Sequence, residues 1–225
     1  MWWIRADGSG GPQRLIESDK MQSATSFSGA YLAFEQVSPT SDADLWTVSI
    51  QGAYADHPKA GSPEPFLRTS SAEGNAAFSP DGRWLAYTSD ESGVSQVYVR
   101  PLRPGVLSES GSKTQVSTAE GSSPMWSRTE RKLFFTSGDR RIMVVSYSTE
   151  GDSFLPNKPA PWAQFEMLAP NVTLHMARSS VDLAPDGKRF AVLVPANTKA
   201  LKPQTHVNVL LNFFEEIERK IRKKP

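Results

Sequence analysis

The sequence predicts an all-β chain, a β-propeller with blades of four antiparallel strands. Three observations predict it. The stretch Asn75 to Pro101 reads as two hairpins in succession. Worn copies of that stretch recur about 50 residues apart, a period typical of solenoids, propellers and arrays. No helical periodicity separates the copies, and several strands per repeat select the propeller among repeat folds.

The hairpin chemistry is clearest in the anchor copy. Asn75 to Ser79 is a short apolar run ending in Phe78. Pro80 presets φ for a turn, Asp81 can bond its own backbone, and Gly82 accepts positive φ. Trp84 to Thr88 and Gln96 to Val99 are rich in residues that fit a pleated, half-buried surface. Asp90-Glu91-Ser92-Gly93 turns between them, and Lys113 to Ser117 is the expected outermost strand. Trp126 to Phe135 aligns with Phe78 to Tyr87 without a gap but lacks the Pro-Asp-Gly turn. Leu183 to Val192 aligns and keeps Pro185-Asp186-Gly187. Phe27 to Phe34 aligns when two turn residues are deleted. Third strands repeat as Asp44 to Val48, Gln96 to Arg100 and Arg141 to Val145.

The remaining elements follow in order. Met1 to Ile4 matches the third-strand pattern, and Gln13 to Ile16 the fourth. Met21 to Phe27 and Tyr31 to Glu35 form a hairpin, Val37 to Ala43 a polar loop, and Asp44 to Ile50 a strand. Gln51 to Pro65 reads as a loop before a short outer strand, Phe66-Leu67. A loop spans Arg103 to Ser112. Ser123 to Tyr147 holds three strands, Thr149 to Pro161 a proline-rich loop, and Trp162 to Leu168 an outer strand. Thr173 to Ala184 and Phe190 to Val194 open the last blade, with a loop at Pro195 to Pro203. His206 to Asn212 is strand-like. Phe213 to Lys224 is helical in pattern, with Phe213, Phe214, Ile217 and Ile221 on one face. Asn212 suits the N-cap, acids come early and bases late. The expected division is residues 1–212 as a partial propeller and 213–225 as an amphipathic helix with a basic tail. That helix either closes the last blade or docks a partner.

The run Phe78-Ser79-Pro80-Asp81-Gly82-Arg83-Trp84-Leu85-Ala86-Tyr87 resembles the signature of the WD40-like (PD40) repeat of TolB-type propellers, and Ala184 to Lys188 carries a weaker copy. The resemblance covers nearly the whole chain in pieces. It specifies the blade well and the function poorly. It implies one of several contexts: an extracytoplasmic or periplasmic binding protein, the propeller of a prolyl-oligopeptidase-type peptidase, or the sensor tail of a bacterial serine/threonine kinase.

Composition narrows the classes. The chain has 225 residues and a formal net charge of +1, so no global field pulls it toward nucleic acid or anionic lipid. Cysteine is absent, which excludes a disulfide framework and thiolate metal sites. No run of about 18 apolar residues could span a membrane, and the N-terminus lacks a basic leader and a long apolar core. The chain reads as starting inside a repeat, as the C-terminal portion of a longer protein would. About four and a half blades are awkward for a closed ring. An open partial ring is therefore expected, with Trp2 or Trp3 exposed at its first edge.

Catalytic motifs are missing from the sequence. There is no Gly-x-Ser-x-Gly elbow, Walker loop, His-Arg-Asp or Asp-Phe-Gly. His57, His175 and His206 are far apart and read as isolated residues rather than metal ligands. Asp42 reads as a turn residue and Asp44 as a strand start, not as a catalytic pair. Asp7, Asp81 and Asp186 precede glycines and read as turn residues, without calcium-loop spacing. Trp2, Trp46, Trp84 and Trp126 read as core, Trp162 as exposed, and Asn171-Val172-Thr173 matches a glycosylation sequon by pattern only. Phe78, Leu85, Tyr87, Trp126, Phe134 and Leu183 are expected between blades. No catalytic, cofactor or metal residue is assigned, and no cofactor is expected. The ligand-binding residues are not readable. The expected role is a non-catalytic module binding a protein, peptide or envelope ligand. The alternative is the gating propeller of a peptidase whose catalytic domain lies elsewhere.

Overall fold

The computed structural model describes residues 1–38, 41–53, 57–102, 112–164 and 181–192. Met1–Val194 makes one compact unit and Pro195–Pro225 a second. The expected strand at 206–212 and helix at 213–224 lie outside the described residues, as do His175, His206 and the sequon.

The described residues form five antiparallel sheets in chain order. The first is the pair β1 (Trp2–Trp3) and β2 (Gln13–Arg14). The second blade runs β3 (Gln22–Phe27), β4 (Tyr31–Ser38) and β5 (Ser41–Gln51), with β6 (Lys59–Ala60) and β7 (Glu64–Leu67) both on β5. The third is β8 (Glu73–Phe78), β9 (Trp84–Ser89), β10 (Gln96–Pro101) and β11 (Thr114–Gln115). The fourth is β12 (Gly121–Trp126), β13 (Lys132–Ser137) and β14 (Arg141–Glu150), with β15 (Ser153–Pro156) and β16 (Ala160–Gln164) both on β14. The fifth pairs β17 (Val181–Leu183) with β18 (Phe190–Val192). Four-stranded blades therefore stand as read from sequence. Among the described residues β1 pairs only with β2, and no ladder joins the first sheet to the fifth.

Several boundaries differ from the sequence reading. The Val37 to Ala43 loop is mostly strand, since β4 and β5 run on until Ser38 faces Ser41. Asp42 therefore lies in β5 rather than in a turn, and Asp44 lies inside that strand instead of starting it. The segments read as loops after the third strands also pair. In the second blade β6 pairs Ile50 and Gln51. In the fourth, β15 pairs Tyr147 to Glu150 around Gly151, at φ +55°. Both are side hairpins off an overlong third strand, and both look like loops in sequence because they carry prolines near an exposed edge.

The blades are held by apolar faces packed between neighbouring sheets. Leu85, Tyr87 and Phe134 are at most 1% exposed, and Phe78 and Trp126 are also buried. Fully burying such side chains is worth about 1.5–3 kcal/mol each. Leu183 is only half-buried, against Phe134 and Ile142. Trp84 and Trp126 are core as expected, Trp46 is half-buried, and Trp2 is not core at all. Trp2 is 62% exposed and Ile4 61%, and among the described residues no inner strand lies beside β1. Trp162 is exposed, as read from its prolines.

One backbone device recurs. The innermost strand of the second, third and fourth blades shifts register, at Ala24/Ser26, Gly74/Ala77 and Ser122/Met125. In the third and fourth blades the bulged residues, Asn75 and Ser123, both sit at φ 53°. Each stands three residues before its anchor, Phe78 or Trp126. A bulge frees one N–H from the ladder, and the preceding blade caps it. Asn75 N–H donates to Glu35 Oε1 at 2.6 Å, and Ser123 N–H to Thr88 Oγ1 at 3.3 Å. Glu35 and Thr88 are equivalent residues on the second strands.

Candidate functional site: the cleft at the inner-strand ends

The inner strands β3, β8, β12 and β17 end on the same side, and their ends line one cleft of about 690 Å³. The second blade contributes Thr25 to Gly29, the third Ala77 to Pro80 and Gly82, the fourth Pro124 to Trp126 and Arg128, and the fifth Asp182 and Leu183. This volume lies in the range of ordinary ligand clefts. Phe27, the anchor residue of the second blade, is 44% exposed here, whereas its counterparts Phe78 and Trp126 are buried.

The turns that floor the cleft follow from sequence. In the third blade the Ser79 hydroxyl donates to Asp81 Oδ1 at 2.5 Å, and that same oxygen accepts Arg83 N–H at 3.1 Å. Gly82 N–H donates to the Ser79 carbonyl at 2.9 Å with φ +67° at Gly82, which only glycine adopts freely. The fifth blade repeats this, with Asp186 Oδ1 accepting Lys188 N–H at 3.0 Å. That hydrogen bond and the Arg189 guanidinium hold the Asp186 carboxyl below its ordinary value. Asp7 behaves alike near the N-terminus, accepting from Ser9 N–H, and Arg5 lowers its pKa most. All three aspartates are thus turn residues, as their spacing indicated.

The cleft's hydroxyls are engaged in structure. Ser26 Oγ accepts Phe78 N–H at 3.1 Å across the seam, and Thr25 Oγ1 donates to the Ala33 carbonyl at 3.1 Å. Trp126 Nε1 donates to the Ala77 carbonyl at 2.9 Å. The walls therefore present side chains rather than strand edges at these positions. The charged residues of the cleft, Arg128 and Asp182, are exposed and make no ion pair with each other or with another described residue.

Arg128 also borders a second groove of about 250 Å³, between the turn at Pro80, Asp81 and Arg83 and the turn 127–131. Tyr147 and Thr149 form its far wall. Burial pushes the Tyr147 phenol up, the Asp81 carboxylate adds to this, and Arg131 opposes it. A third cleft, of about 450 Å³, lies at the first sheet, among Trp3, Arg5, Gln13 and His57. His57 is exposed there, with Nδ1 at 2.6 Å from Gln13 Nε2. Asp44 is buried, with Arg68 at 3.9 Å. Neither residue borders the inner-strand cleft. Sequence reasoning assigned no ligand-binding residue. The sequence signal for one is the basic turn Arg128 to Lys132, where the third and fifth blades have Pro-Asp-Gly.

No family model and no curated protein matches the chain. Solved structures do. A protein from Agrobacterium tumefaciens described as TolB shares 14% identity at a TM-score of 0.47, over 69% of this chain and 55% of its own. The β-propeller domain of the Trilobed protease from Pyrococcus furiosus, described as having an open velcro topology, shares 16% identity at a TM-score of 0.42. That match covers 65% of this chain and 44% of the other. The chain thus spans about half the length of the solved structures it matches.

Proposed function

We propose that the chain is a non-catalytic recognition module that holds a segment of another polypeptide in the inner-strand cleft. The observation that carries this is the convergence of four blades on one cleft, with Phe27 exposed at its rim where the equivalent Phe78 and Trp126 are buried. A rigid scaffold presenting loop ends and one accessible aromatic suits binding. The cleft's hydroxyls support turns and seams, and among the described residues no histidine lines the cleft to activate them. The sequence resemblance supports an extracytoplasmic setting and a place in a larger sensor protein, such as a bacterial serine/threonine kinase.

Selection of random peptides on the full 225-residue chain tests this. Selected peptides should bind the parent and lose about tenfold or more in affinity on Phe27→Ala, as truncation of a hot-spot aromatic does. Peptides that bind Phe27→Ala and the parent equally would overturn the assignment of the cleft.

A further inference from the structure

The turn of the fourth blade departs from the repeat in a specific way. Aligned without gaps, Arg128 stands where the third blade has Pro80, and Arg131 where it has Arg83. The fourth blade has exchanged a turn built by proline, aspartate and glycine for one built by Ser127, whose Oγ accepts the N–H groups of Thr129 at 3.3 Å and Glu130 at 3.1 Å. Freed of a Pro-Asp-Gly requirement, the turn carries two arginines to the surface.

Every carboxylate nearby on these turns is engaged elsewhere. Asp81 is held by the Ser79 hydroxyl and Arg83 N–H. Glu130 pairs with Lys132 Nζ at 2.5 Å. Asp186, whose carbonyl reaches Thr129 Oγ1 at 3.4 Å, pairs its own carboxylate with Arg189 at 2.8 Å. Arg83 differs from its counterpart Arg131, because its guanidinium donates to the Gly151 carbonyl at 2.7 Å and lies over Trp84. Among the described residues the Arg128 and Arg131 guanidiniums have neither a hydrogen bond nor an ion pair. Arg128 lines both the inner-strand cleft and the groove, so the two free guanidiniums continue the cleft outward.

We propose that Arg128 and Arg131 form an anion-recognising wall continuous with the cleft, and that its ligand is an acidic peptide segment whose carboxylates pair with the two guanidiniums. This rests on the reading of the cleft as a polypeptide site. A guanidinium presents a planar fork of donors that matches a carboxylate in bidentate fashion. Peptide fits better than nucleic acid or polyphosphate. Among the described residues that line the cleft and groove, Arg128 and Arg131 are the cations without a side-chain hydrogen bond or ion pair, Asp182 and Glu130 stand beside them, and the whole chain carries a net charge of only +1. A densely charged polyanion needs many phosphate contacts to bind. A segment with one or two carboxylates and an apolar residue for Phe27 needs no more than this wall offers.

The test is fluorescence anisotropy on the full chain with labelled hexaglutamate, hexaglutamine and hexalysine, with inorganic phosphate as a competitor. Hexaglutamate should bind at least about tenfold tighter than the other two, and more weakly as salt rises, as screened charge pairs do. Arg128→Gln/Arg131→Gln should abolish the preference, and Arg128→Lys/Arg131→Lys should restore part of it. Unchanged circular dichroism in the glutamine pair would confirm that folding is intact. Equal binding of hexaglutamate and hexaglutamine, or an unaltered preference in the glutamine pair, overturns the proposal. Displacement of hexaglutamate by millimolar phosphate at no loss to competing peptide-library binders also overturns it, in favour of a free-anion site. The underlying reading fails separately. Loss of the glutamate preference with Phe27-dependent library peptides still binding sinks only the acidic ligand. Phe27-independent peptides with an intact glutamate preference sink the cleft reading and leave the arginine wall.

Discussion

Two seams of this molecule use the same backbone device with different chemistry. Between the third and fourth blades, the bulged Ser123 N–H is capped by the neutral Thr88 hydroxyl. The surrounding seam is aromatic and apolar. Trp84, Trp126, Tyr147 and Phe154 pack with ring centroids 4.7–5.9 Å apart. Between the second and third blades, the equivalent cap on Asn75 is the Glu35 carboxylate. Glu35, Asp44 and Glu73 are all at most 5% exposed there. A Cβ at Gly74 would stand 2.7 Å from Glu35 Oε1, so any side chain there would have to displace the capping carboxylate. The Thr69 hydroxyl donates to one oxygen of Glu73, and the other has no hydrogen-bond partner among the described residues. Repetition of a backbone bulge therefore does not require repetition of its cap. It requires an acceptor at one place, and a carboxylate placed there brings a dependence on pH that a hydroxyl does not.

The largest effects should be indifferent to this difference. Phe78→Ala in the acidic seam and Trp126→Ala in the aromatic seam should each cost about 3–5 kcal/mol, the usual range for a buried aromatic. Trp126→Ala also strips the Ala77 carbonyl of its donor. Urea denaturation at pH 5 and pH 8 should give the same loss at both values. A loss for either variant that changes with pH would mean that its seam does not divide into apolar packing and polar caps.

How much of this was legible follows from the kind of signal each part gives. Phe78 to Tyr87 states its hairpin outright, because proline, aspartate and glycine each have a local reason to be at a turn. The copy at Trp126 to Phe135 is legible only through its gap-free alignment with Phe78 to Tyr87, since Ser127 makes the turn by side-chain hydrogen bonds that many sequences could supply. The side hairpins are not legible in the sequence because Ser153-Phe154-Leu155-Pro156 is short, and only the length of β14 gives it a partner. The caps were invisible for a deeper reason. Glu35 and Asn75 are 40 residues apart and belong to different blades. The site was half legible. The basic turn can be seen in the sequence, but the freedom of Arg128 and Arg131 depends on where Asp81, Glu130 and Asp186 direct their carboxylates in space.

The second prediction concerns Glu73. Burial, with the charges of Asp44 and Asp90 adding to it and the Thr69 hydroxyl opposing, pushes its carboxyl up to about 7. Its folded pKa then lies above the unfolded value near 4.5. The contribution is fully present below the unfolded value and is lost as pH rises through about 7. Burial raises Glu35 in the same direction, opposed by the Asn75 N–H. The parent should therefore gain stability on acidification across that window. Glu73→Gln should remove most of the gain, leaving the variant about 1–2 kcal/mol more stable than the parent at pH 8 after allowance for solvent screening. Thermal melts of the two proteins from pH 4.5 to 8.5 check this. Parallel curves for parent and variant would show that Glu73 is not the group that titrates.

The smallest effect isolates the cap itself. Thr88→Val keeps the shape of the side chain and removes the oxygen that accepts Ser123 N–H. Ser123 is half-buried, so water can reach the freed N–H in part, and the bond at 3.3 Å is a long one. The expected cost is about 0.5–1 kcal/mol, the low side of a net hydrogen bond. It should be the same at pH 5 and pH 8, because nothing in the exchange of hydroxyl for methyl titrates. Glu35→Gln is the partner experiment. Its amide oxygen can still accept Asn75 N–H, so the cap survives while the charge goes, and because burial raises the Glu35 carboxyl the variant should gain on the parent as pH rises from 5 to 8. A Thr88→Val cost that grew with pH, or a Glu35→Gln difference of equal size at both, would mean that the contrast between the seams is not carried by their caps.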